Sequence, residues 1–367
     1  MFPSARVALE RLDQVDWSAL GHALGPAADL PELVRRAAAR DPEVHRRAVG
    51  ELMQRLGPHP SHAPEEDAAL HAVPYLAALV ADPTIRARPR LVELLAELAV
   101  GDTGPHLHHG LDAAALGGEG PRRGRFDAVV AHVGAFRRGL AVGDQPLRQV
   151  MPYLLAWMTP RAAEVAPALT RLLQGDASPA VRASAALGLS LVTSFDPAGA
   201  LPTRFALREA WGRAATRLER RCVGLALVRT GDPAAAPVVD ALIDELRAGA
   251  RPVAPSGFPW IRVDAAAHLF CALTLAVGDD RAAEVAAAAT DGLHRCGDPD
   301  DAVELARWLV IAQVPADTDV AAMPPLARRI LRDVASSDLV WHYPDAGDAL
   351  ADKGLPGRRD ALRAALA

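Results

Sequence analysis

The sequence predicts an all-α chain, a solenoid of about seven helical hairpins with terminal capping helices, from three observations. Between Ala27 and Val320 a proline-initiated apolar helix recurs, each time leading through an Asp-Pro or Ser-Pro break into a second helix marked by an aliphatic-basic pair. The markers Val44-His45, Ile85-Arg86, Leu147-Arg148, Val181-Arg182, Glu219-Arg220 and Ile261-Arg262 stand 41, 62, 34, 38 and 42 residues apart, the range of two-helix repeat units. Half of the 367 residues are hydrophobic while only 4% are aromatic, so the core must come from Ala, Leu and Val, which let helices approach closely.

Taken in order, residues 1–26 read as an N-terminal cap, since Val7 to Leu20 stay amphipathic without the repeat signature. In the repeats, Pro31, Pro74, Pro167 and Pro237 are expected in the opening turns of first helices, where a missing N–H costs no intrahelical bond. Leu76, Leu79 and Val80 then form one core stripe, and Leu169, Leu172 and Leu173 another. Second helices are expected at Asp41-Pro42, Asp82-Pro83 and Ser178-Pro179, each an N-cap oxygen followed by a proline of preset φ. Pro89 and Pro152 fall four and five residues beyond their aliphatic markers, so those second helices must start late or kink.

The longest gap holds Gly101 to Arg125, rich in Gly, Pro, His and Arg, which reads as an irregular, exposed surface loop. A second insertion, near 248–260 and ending in Phe258-Pro-Trp260, lengthens the turn inside the sixth unit. Long loops on a repeat scaffold are where binding specificity often sits. Residues 321–367 read as the C-terminal cap, and the whole of 1–367 as one array, because repeats contact only their neighbours and grow without splitting.

The run Asp176-x-x-x-x-Val181-Arg182, followed by Ala185-Ala186-Leu187-Gly188-Leu189, resembles the second helix of HEAT repeats. The resemblance covers most of the chain and implies a curved α-solenoid whose second helices line the concave face; it implies no reaction. The opening block Leu12 to Pro26, with Trp17, His22 and Gly25, is similar to the start of a group of HEAT-repeat proteins of GC-rich bacteria to which no function attaches. Iron-dependent HEAT-repeat hydroxylases carry His-Glu pairs, and no His-Glu dipeptide occurs here.

A net charge of -5 gives no global attraction to nucleic acid or to an anionic membrane. Lys353 is the only lysine among 40 basic residues and asparagine is absent, a genomic bias rather than an arginine-rich motif. Three cysteines in helical contexts, charges near the N-terminus and no apolar run of bilayer length predict a cytoplasmic chain with reduced thiols and no membrane span.

Seven histidines gather between His59 and His132, with His106, His108 and His109 in one loop, but without HExxH or CxxC they read as solvated and no metal site is expected. Gly118 to Gly124 lacks both the spacing and the preceding strand of a phosphate loop. No catalytic constellation is recognisable and no cofactor is expected, so the chain reads as a binder rather than an enzyme.

The candidate binding residues are Arg86, Arg148, Arg182, Arg220 and Arg262 on the second helices, with Phe258 and Trp260 in the second insertion, Trp260 expected to be exposed as an interface anchor. The arginines could grip phosphates, but the HEAT resemblance implies a structural ladder bonded to acidic groups and helix C-termini of adjacent repeats. A cation at a helix start is itself electrostatically poor, so a compensating partner such as Asp176 is expected. The function expected is a noncatalytic scaffold holding a protein or peptide in its concave groove. The alternative is a nucleic-acid binder, or an enzyme like the HEAT-like DNA glycosylases with a basic concave groove.

Overall fold

The computed structural model describes residues 5–57, 68–85, 88–101, 103, 106–116, 120–250, 257–260 and 265–367. Among them the chain is all-helical apart from a minimal antiparallel hairpin, Gly21–His22 paired with Gly25–Pro26, and residues 27–320 contain no described strand. No helix among the described residues is long and apolar enough to cross a membrane. The chain forms two compact units, Met1–Ala226 with Pro255–Trp260, and Leu227–Ala254 with Ile261–Ala367.

In the first unit, α1 (Ala5–Glu10) precedes the hairpin, then come α2 (Leu30–Ala37), α3 (Pro42–Leu56), α4 (Ala68–Ala81) and α5 (Arg88–Val100). They are followed by α6 (Pro121–Val130), α7 (Val133–Val142), α8 (Gln145–Leu155), α9 (Ala162–Gly175), α10 (Pro179–Val192) and α11 (Pro197–Arg213). The division between units falls inside α12 (Arg217–Arg229). Helices pair as α2 with α3, α4 with α5, α7 with α8 and α9 with α10. Second helices also touch in sequence, α3 to α5 to α8 to α10, as do α4, α7, α9 and α11. The second unit contains α13 (Ala236–Arg247), α14 (Ala265–Val277), α15 (Asp279–Leu293), α16 (Pro299–Gln313), α17 (Pro325–Ser336), α18 (Asp348–Ala351) and α19 (Arg359–Leu366). There α13, α15 and α17 adjoin in order, and α14 packs on α16.

The opening block is a local plug. Trp17 is buried and its indole donates to Leu12 O at 2.7 Å, while Gly25 takes φ +131°, which disfavours any side chain. His22 and Arg55 both bond Asp29, at 3.0 and 2.7 Å, tying the block to α2 and α3.

Proline placement follows the expectation at Pro31 and Pro237, in first turns, but not at Pro74 and Pro167, which lie inside α4 and α9. Ala68, Ala69, Ala72 and Val73 ahead of Pro74 are fully buried. Burying them, at about 0.8 kcal/mol per CH2-sized group, offsets the roughly 3 kcal/mol that an interior proline costs. Asp41 caps α3 through bonds from Glu43 N and Val44 N. Ser178 precedes α10 without a side-chain cap, its own N–H being taken by Asp176 Oδ1 at 2.9 Å. Asp82-Pro83 forms a turn instead of a helix start; α5 begins late, at Arg88, with Pro89 in its first turn. The helix α8 starts on time and runs through Pro152.

From Ala183 to Val192 every residue of α10 is buried. Its close approach to α8 depends on Gly188, where a Cβ would stand 2.7 Å from Pro152 O.

The first insertion is neither wholly irregular nor wholly exposed. Thr103, Gly110 and Leu111 are buried, Leu111 O accepts from Thr159 Oγ1 at 3.1 Å, and the segment ends inside α6, which packs on α4 and α5. Apolar residues within the insertion, above all Leu111 and Phe126 just beyond it, pull it onto the core.

Candidate functional site

Of the four marker pairs whose second residue is described, three, with His45, Arg148 and Arg182, donate to the end of the preceding helix. His45 Nδ1 bonds Ala37 O at 2.5 Å, Arg148 Nη1 donates to Gly143 O at 2.7 Å and Arg182 Nη1 to Asp176 O at 2.6 Å. The acceptors lie at the C-termini of α2, α7 and α9, where four carbonyls lack intrahelical partners and the helix dipole favours a cation. A cation misplaced for its own helix is thus well placed for its neighbour.

The arginines then reach forward to an acid of the next hairpin. Arg148 Nε donates to Asp176 Oδ2 at 2.7 Å, and Arg182 meets Glu219 with both arms of its fork, Nε at 2.6 Å and Nη2 at 3.0 Å. Glu219 also accepts from Ala215 N at 2.9 Å. Burial pushes the Glu219 carboxyl up, but the Arg182 fork and the backbone donors outweigh it and hold the pKa below the usual carboxylate range. The bond to Glu219 raises Arg182 in turn. The predicted partner Asp176 is present, but it serves Arg182 by its backbone oxygen and gives its carboxylate to Arg148.

The remaining candidates diverge from expectation. Arg220 is exposed and sits over the Trp211 ring at 5.7 Å, outside the ladder, because in α12 the preceding Glu219 takes the inward position. Arg86 and Arg262 lie outside the described residues, as do His59 and His62. Arg88, in the first turn of α5, is buried with Nη2 3.5 Å from Asp144 Oδ2 of the next hairpin. The late start of α5 was readable in Pro89.

Trp260 is not exposed. It is 2% accessible, its indole donates to Ser184 Oγ on α10 at 2.7 Å, and Phe258 is buried beside it in sequence. The ring stands edge-on to Tyr153 of α8 at 5.0 Å and tilted to Trp157 at 6.5 Å. The Tyr153 hydroxyl in turn shares a 2.6 Å bond with Thr103 Oγ1. Both insertions therefore converge on one tyrosine of the second-helix row, and the aromatic anchor binds the chain itself.

No protein-family model matches this chain, and no curated protein does so either. The site must be read from its own chemistry. Among the described residues, no group of three His, Cys, Asp or Glu is placed to hold a metal ion.

Among the described residues, further surface features stand out. An open cleft of about 360 Å³ between α7 and α9 is lined by Arg137, Arg148, Arg171 and Asp176, with apolar walls. On α11, Leu201 and Phe205 are 60% and 61% exposed one helical turn apart, with Phe195 just before the helix 50% exposed. In the second unit, Leu275 of α14 and Trp308 and Ile311 of α16 are likewise exposed.

Proposed function

We propose that this protein is a noncatalytic protein-binding scaffold, each unit a run of HEAT-like hairpins forming part of an α-solenoid. The observation that carries the reading is the exposed Leu201–Phe205 stripe on α11, with Phe195 beside it. Large side chains of this kind cost solvation unless a partner covers them, and aromatics lead the residues that dominate interface energies. The order in which first helices adjoin first helices and second helices second supports the repeat architecture.

The nucleic-acid alternative draws less support, because Arg148 and Arg182 spend their forks on carboxylates and carbonyls within the chain. The test is affinity purification from the native host with wild type and Phe205→Asp/Leu201→Asp. A partner recovered with wild type and lost with the variant, at unchanged melting temperature, is the expected result. Identical recovery, or duplex DNA binding that weakens steeply with salt, would overturn the reading.

A further inference from the structure

The cleft between α7 and α9 is independent of the α11 surface and of the protein-binding reading. We propose that it is a binding site for a phosphomonoester dianion, held by Arg137 and Arg171, with Arg148, its fork bonded within the chain, adding only its charge to the lining. Three guanidiniums line it against a single carboxylate, Asp176. That carboxylate is already engaged: Oδ2 accepts from Arg148 at 2.7 Å, Oδ1 from the Ser178 N–H at 2.9 Å, and its side chain is 5% exposed. The lining therefore carries two more positive charges than negative ones.

The adjacent acid does not cancel this surplus. Glu164 bonds Arg137 at 3.3 Å but also serves Arg161. The buried Arg137 Nε has no hydrogen-bond partner among the described residues, and Arg171 is exposed with no ion pair among them. Arg171 thus brings to the cleft a guanidinium that no carboxylate among the described residues occupies, beside the Arg137 guanidinium. A phosphomonoester near pH 7 carries close to two negative charges and three acceptor oxygens, matching the surplus where a carboxylate would meet half of it. The walls, Leu140, Ala141, Ala168 and Leu172, would take the apolar stem of the ester, and the volume lies at the small end of ligand pockets.

The phosphate could be borne by a phosphorylated side chain of a protein or by a small ester, and the test separates the two. Phenyl phosphate is titrated calorimetrically into the full chain. The expected result is saturable one-to-one binding, with benzoate at least about tenfold weaker and Arg171→Ala weakened by a similar factor. Arg171→Lys, which keeps the charge without the fork, should fall between. Arg213→Ala, removing an exposed arginine of α11, should bind as wild type. A phosphoserine peptide binding more tightly than phenyl phosphate assigns the site to a protein partner; equal or weaker binding assigns it to a small ester. No saturation by about 10 mM phenyl phosphate, or equal losses in Arg171→Ala and Arg213→Ala at unchanged melting temperature, would overturn the proposal.

Discussion

Arg182 shows how one side chain can join three elements, bonding the end of α9 and the acid of α12 from the first turn of α10. Arg182→Ala leaves Glu219 buried beside a vacated fork, so a stability loss of about 1 to 3 kcal/mol is expected in urea denaturation. The sign of its pH dependence is specific. In wild type the depressed pKa of Glu219 contributes stability above the usual carboxylate value that is lost on acidification through the folded pKa. In Arg182→Ala burial is no longer offset by the fork, the folded pKa rises, and the deficit relative to wild type should shrink as pH falls from 7 to 4. A deficit constant with pH would remove Glu219 from the account. Gly188 offers a second test: alanine gains up to about 1 kcal/mol in helix propensity, but its methyl meets Pro152 O at 2.7 Å. Overpacking at about 1 to 3 kcal/mol outweighs the gain, so Gly188→Ala should lower the melting temperature. The ladder at Arg148 and Arg182 was legible because a cation at a helix start demands compensation. Arg171 was not, because an exposed arginine on the polar side of an amphipathic helix looks the same with or without a facing cleft.

At the scale of elements, the helices announce themselves through apolar periodicity and proline, while insertions do not. Gly101 to Arg125 and the segment ending at Trp260 carry loop composition, yet Thr103, Leu111, Phe258 and Trp260 are all buried. Composition records local freedom; it is silent on a tertiary docking place built by α8 and α10, far away in sequence. The same limit explains Pro74 and Pro167, where core burial extends a helix ahead of its proline. Docking should be measurable. Trp260→Ala removes a fully packed indole and should cost about 3 to 5 kcal/mol. Ser184→Ala strands the indole N–H and should cost about 1 to 3 kcal/mol. If both variants melt as wild type, the segment is not anchored as described.

At the scale of the whole molecule, exposed ion pairs recur between neighbouring helices. In the second unit Arg281 joins Asp240 of α13 and Glu284 of α15, and Arg329 of α17 reaches Asp291 of α15, stitching the first-helix row with exposed pairs. Such pairs are worth about 0 to 1 kcal/mol each and are screened by salt. Raising ionic strength from 0.05 to 0.5 M, a range of about 14 to 4 Å in screening length, should therefore shift the melting temperature only slightly. A drop of ten degrees or more would show that these networks govern stability. The all-helical character was legible from apolar periodicity, proline breaks and composition alone; the division into two units was not, since helices of the same composition lie on either side of it.

The contact between Trp260 and Ser184 also bears on the order in which the chain folds. Most pairings here join neighbouring hairpins and can form early, whereas this one waits for the closure of a 76-residue separation. Helix formation followed by circular dichroism should then run ahead of the quenching or shift of Trp260 emission. The aromatic junction at Tyr153 becomes a latch that records when the first unit has reached its final form.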